Sequence, residues 1–131
     1  MKSKKARKRR RKSPTAKIRA ELDRASKTAA KDRDGWRCVR CGLAVSGSGA
    51  HGAHVIPCGQ SALLRWDLEN LMCLCFRCHR YFWHLHPLDA TAWFQRTYPE
   101  RYAYLMARKN TVKKWTMGEM EAMLLSLTKS E

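Results

Sequence analysis

Apolar positions recur along this chain with different periods, and the changes of period mark out its elements. Residues 2–12 contain no apolar side chain larger than Ala, so they read as a tail extending to about residue 14. From Thr15 to about Asp34, Ile18, Leu22, Ala25 and Ala29 fall at spacings of three and four among charged residues. That pattern predicts a helix over 15–35 with a thin apolar stripe, stopped by Gly35. Gly42 to Gly52 is rich in Gly and Ser and reads as a turn between two short strands. The second strand, Ala50 to Ile56, would present His54 and Val55 on opposite faces and end at Pro57. A loop over 58–67 carries Arg65 and Trp66, the latter read as a lid on a small core. Leu71 to Cys75, LMCLC, supplies apolar burial, and a helix should start near Phe76 and continue past His84.

Beyond that point two helical pieces are separated before Pro99. Trp93, Phe94, Tyr98, Tyr102 and Leu105 offer them an aromatic face for packing over the preceding unit. Thr116 and Glu119 have capping-box spacing and open a last helix with Met120, Met123, Leu124 and Leu127. This helix either closes the core or forms a homodimer with a second copy. A chain of 131 residues with a charged tail has room for one domain. The expected class is small α+β: a tail over 1–14, a helix over 15–35, a central unit over 36–86, and a helical extension of the same domain over 87–131.

The cysteines change this picture. Cys38 and Cys41 form one CxxC pair, and Cys75 and Cys78 form another. Two such turns can aim four sulfurs at one centre, which points to structural zinc. A redox pair would account for one CxxC only. Cys73, inside LMCLC, reads as a core side chain; Cys58, after Pro57, is either a loose thiol or a neighbour of a functional site.

Charge points to a partner. There are 27 Lys and Arg against 11 Asp and Glu, giving a net charge of +16. The candidate phosphate contacts are Lys2, Lys4, Lys5, Arg7, Lys8, Arg9, Arg10, Arg11 and Lys12 in the tail, with Arg65 in the central loop. Nucleic acid is the natural partner. A membrane competes for a polybasic arm, but the sequence has no long apolar run, lipidation signal or signal-peptide core. The expected location is intracellular, where reduced cysteines favour metal over disulfides. That covers the cytoplasm or nucleoid, or the host cytoplasm if the protein is phage-encoded.

Around the cysteines lie His51, His54, Asn70, His79 and His84, which a structural metal does not require. Together they can supply a base to activate water, imidazole ligands for a divalent ion, and a group to hold the base. His79 and His84 are five apart, which does not stack them on an α-helical face. His86, before Pro87, reads as a helix start or a solvent-facing residue.

The succession HVIP over 54–57, then Asn70, then LCFRCH over 74–79, with a CxxC pair upstream, resembles the HNH or ββα-metal endonucleases in their zinc-knuckle form. The resemblance covers Trp36 to about His84. More distantly, HGAH over 51–54 is similar to the phage recombination endonucleases NinG and Rap. The resemblance implies a zinc-stabilised ββα core with flanking helices. It also implies His54 as general base, His79 as ligand to a catalytic Mg²⁺ or Mn²⁺, and Asn70 orienting the base or bracing the turn. Ala53 departs from the pattern, since an acidic metal ligand commonly precedes the base in this family. His51, His84 or water would then have to complete the ion's shell. The function implied is metal-dependent DNA endonuclease activity yielding 5′-phosphate ends, with branched or recombination intermediates as one substrate class. The alternative is a zinc-stabilised DNA-binding or recombination accessory protein that does not cleave.

Overall fold

The computed structural model describes residues 10–129. Lys2, Lys4, Lys5, Arg7, Lys8 and Arg9, expected to contact phosphate, lie outside the described residues; Arg10, Arg11 and Lys12 are exposed just before the first helix. That helix, α1, spans Pro14–Arg33. Ser13 caps it by accepting a hydrogen bond from the amide of Ala16, and Pro14 occupies the first turn, where a missing N–H is harmless. Its buried line is Ile18, Leu22, Ser26 and Ala30, not the expected Ile18, Leu22, Ala25 and Ala29. Spacings of four sustain that line because the Ser26 hydroxyl donates to the carbonyl of Asp23, which lets it sit in apolar surroundings. Asp34 closes the helix, and Gly35 and Trp36 both take positive φ as the chain turns away.

The sheet has two antiparallel strands, β1 (Ala50–His54) and β2 (Leu71–Cys75), in a register that pairs Ala50 with Cys75 and His54 with Leu71. The LMCLC run is thus a strand, buried at every residue. The strand expected before the Gly and Ser turn reduces to one bridge between Arg37 and Ala44. β1 is two residues shorter than expected, for a definable reason. The amide of Ile56 is taken by the side chain of Asn70 instead of by a strand partner.

Past β2 a helical turn begins at Phe76, and the segment Cys78–His84 is wound as a π-helix. It stops at His84, where it was expected to continue. Three α-helices follow: α2 (Pro87–Thr97), α3 (Pro99–Arg108) and α4 (Met117–Thr128). The break before Pro99 and the Thr116–Glu119 capping box are both present.

Two cores result. One lies beneath the ββα unit, where Ala53, Ile56, Leu64, Met72 and Leu74 meet Phe94 and Leu105 from α2 and α3. Arg101 and Arg33 fasten its edge by donating to the carbonyl of Leu71. The other joins α1 to α4 through Ile18, Leu22, Trp66 and Met120, with Trp115 stacked at a tilt on Trp66. The architecture is the expected small α+β class, with α1 and α4 packed together beside the ββα unit. No helix among the described residues is long and apolar enough to cross a membrane.

Candidate functional site

The first knuckle is a tight turn in which the amide of Cys38 donates to Leu43 and that of Gly42 donates back to Cys38. Gly42 has a φ of 80°, a conformation that costs glycine little. The Val39 amide bonds to the carbonyl of Cys73, anchoring the knuckle on β2. Cys75 ends that strand and Cys78 opens the π-helix, so both CxxC pairs converge. The sulfurs of Cys38, Cys41, Cys75 and Cys78 all lie within 4.8 Å of one another, and Cys41 and Cys75 are 3.7 Å apart.

A tetrahedron with Zn–S bonds of about 2.3 Å has edges of about 3.8 Å, so the geometry fits zinc. The Arg40 guanidinium reaches the Cys78 sulfur at 3.6 Å, and the Cys78 amide reaches that of Cys75 at 3.4 Å. Burial raises the Cys38 thiol, but the amides of Cys75, Cys41 and Arg40 outweigh it and bring it to about 7. Burial pushes Cys78 up to about 12 despite Arg40. A cation at the centre would reverse that penalty. Among the described residues this is the one group of three or more potential ligands within such range. Cys73 is buried in the core, and Cys58 is exposed.

The histidines gather on the other side of the π-helix. His51 Nδ1 lies 2.9 Å from His79 Nδ1, and His84 Nε2 lies 3.0 Å from His79 Nε2. The close approach of His79 to His84 comes from the winding, because i→i+5 hydrogen bonding brings residues five apart into line. The expectation that they would not stack assumed an α-helix. Burial, then the neighbouring His84 and His51, lower the pKa of His79 to about 4. His54 ends β1, and its Nε2 is 2.9 Å from the carbonyl oxygen of Arg65. A carbonyl can only accept, so Nε2 carries the proton and Nδ1 is the unprotonated nitrogen of the neutral ring. Burial lowers the pKa of His54 and outweighs that hydrogen bond.

His54, His79 and His84 line one cleft of about 450 Å³, together with Lys27, Gly52, Cys58, Trp83 and residues from the start of α2. This places Cys58 beside the candidate site. None of the residues lining the cleft is acidic. Ala53 is buried in the core, and His51 reaches the cluster from two residues upstream on the same strand.

Asn70 is fully buried. Its Oδ1 accepts from the amide of Ile56, and its Nδ2 donates to the carbonyls of Ile56 and Leu64. It therefore clamps both ends of the loop that leaves His54, without a hydrogen bond to the imidazole. Arg65 differs from the sequence expectation. Its Nε and one Nη donate to the two carboxylate oxygens of Asp23 on α1, so the guanidinium offered to phosphate is held in an ion pair. The Trp66 indole donates to the same carboxylate. His86 is exposed at the N-terminus of α2.

Residues 38–81 match the family model described as HNH endonuclease. Over that span the chain is similar to HNH endonucleases. No curated protein and no solved structure gives a significant match. The matched span includes both knuckles, His51, His54, Asn70 and His79; α1, His84 and the C-terminal helices lie outside it. Sequence reading missed Lys27, Asp23 and Trp83, whose indole donates to the backbone carbonyl of His54. One signal for Lys27 was present: glycine inside a strand, here Gly52, marks close approach by another segment.

Proposed function

We propose that the chain is a metal-dependent DNA endonuclease in which His54 is the general base. The observation that carries this reading is that a neutral His54, its tautomer set by the Arg65 carbonyl, shares a cleft with His79 and His84. Two nitrogens bound at about 2.1 Å on perpendicular axes lie about 3.0 Å apart, the spacing of His79 Nε2 and His84 Nε2. These two would hold the divalent ion, with His79 donating through Nδ1–H to His51, the partner that fixes a ligand's orientation. Imidazoles without a carboxylate suit Mn²⁺ and its heavier neighbours better than Mg²⁺. When bound, the ion would offset charge on the phosphate and the departing 3′ oxygen.

His54 takes the proton from water as it attacks phosphorus. Asn70 keeps the loop after His54 in place, and Trp83 holds its carbonyl. The basic tail adds affinity without reading bases. The knuckle cysteines hold structural zinc.

Supercoiled, linear, single-stranded and branched DNA, each incubated with Mg²⁺, Mn²⁺ or no added divalent ion, test the proposal with His54→Ala in parallel. Cleavage that requires the ion and is lost in a folded His54→Ala protein is the expected result. Full cleavage by that variant would sink the mechanism. The carboxylate-free cleft favours one other reading, a zinc-stabilised DNA-binding protein that does not cut, and wild-type inactivity on every substrate would select it.

A further inference from the structure

We propose that Lys27 of α1 contacts a DNA backbone phosphate in the cleft, so that a helix outside the HNH match completes the site. The inference rests on the reading of this cleft as the place where the DNA backbone is seated. Lys27 lines the cleft with His54, His79 and His84. Its stem crosses β1 directly above Gly52, where a Cβ would lie 2.7 Å from Lys27 Cγ and 2.9 Å from its Cβ. No other residue type leaves that passage open. Among the described residues no carboxylate lies within ion-pair distance of Lys27. Lys27 thus lines a cleft that has no acidic lining residue and two imidazoles biased toward the neutral form, partly by the Lys27 charge itself.

The helix that delivers Lys27 is fixed in place. One turn earlier, Asp23 holds Arg65 and Trp66, and at the C-terminal end Arg33 donates to the carbonyls of Leu68 and Leu71. An unpaired cation on a braced helix, beside the proposed base, matches the charge of a phosphodiester. Arg65 does not fill this role because Asp23 occupies it.

The test uses the full chain and a short duplex. Binding is titrated with neither added divalent ion nor chelator across a range of salt concentrations, so that it does not depend on cleavage and the knuckle zinc is retained. Lys27→Met should reduce the slope of log K against log salt by about 0.9, the value for one lost phosphate contact. Its single-turnover cleavage rate in Mn²⁺ should fall on the order of 10²-fold, as when one donor to a developing charge is removed. Lys27→Arg should preserve the slope, and Gly52→Ala, which displaces the stem while keeping the charge, should lose rate. Lys31→Met, one turn along, is the charge-matched control; its ammonium sits over Trp36. Zinc content and thermal midpoint establish folding of each variant. An unchanged slope in Lys27→Met, or an equal loss in Lys31→Met, would overturn the proposal. A reduced slope in a protein that never cleaves would uphold the contact and remove the nuclease reading instead.

Discussion

The thiol site and the histidine cleft lie on opposite sides of one peptide bond, since Cys78 faces the first and His79 the second, yet they are built differently. Four sulfurs converge within 4.8 Å of one another on a single centre. The histidines form a chain, with His79 between His51 and His84, and the latter two approach different nitrogens of its ring. One ion can satisfy all four thiolates, but it cannot bind both nitrogens of His79. A site that only has to hold the fold closes completely around its metal. A site that has to act on a substrate keeps positions free, and second partners, not extra ligands, set the orientation of its groups.

The strongest test of this contrast is to damage each side separately. Replacing any of Cys38, Cys41, Cys75 or Cys78 with Ser should remove zinc and unfold the knuckle-bearing ββα unit, because structural zinc contributes about 10–16 kcal/mol in small domains, more than a typical domain's net stability. Elemental analysis with circular dichroism checks it; undiminished zinc in all four variants would reject the site. His54→Ala, across the π-helix, should keep zinc and fold while lowering single-turnover cleavage about 10²–10⁴-fold.

Asn70→Ala falls between these extremes. It leaves the buried amide and carbonyl of Ile56 without partners, while the Leu64 carbonyl keeps the Asp67 amide, a loss of about 2–4 kcal/mol of stability that chemical denaturation would read. Its cleavage defect should come from a displaced His54 loop and should be smaller than that of His54→Ala. A smaller effect is expected from pH. The unfolded chain protonates His79 near its ordinary 6.5, whereas the folded chain resists until about 4. Stability therefore falls as pH drops from about 6.5 to 4, while the unfolded state binds the extra proton. His79→Gln should make that decline shallower in thermal scans compared at matched zinc content.

The same contrast explains what could be read from sequence. CxxC turns are local, so two of them announce a four-sulfur centre with no knowledge of the path between them. Asn70 and His54 were legible as candidates through their neighbours HVIP and LCFRCH. The use of Asn70 to clamp Ile56 and Leu64 depends on a loop closure that spacing does not reveal. The capture of Arg65 by Asp23 joins residues 42 positions apart, and no local pattern encodes it. LMCLC was recognised as buried but not as a strand, because an uninterrupted apolar run lacks the alternation that identifies one. The approach of His84 to His79 was not legible because the spacing was measured on an α-helix.

The π-helix has one further consequence, best expressed as an angle. At 3.6 residues per turn, five residues advance the chain by one revolution and about 140° more, which would carry the His84 side chain well around from that of His79. The wider winding removes most of that excess rotation, so the His79–His84 distance is a gauge of how tightly the segment is coiled. The pairing of the two imidazoles therefore depends on the π winding, whereas Cys78 opens the segment and holds its place among the sulfurs before that winding begins.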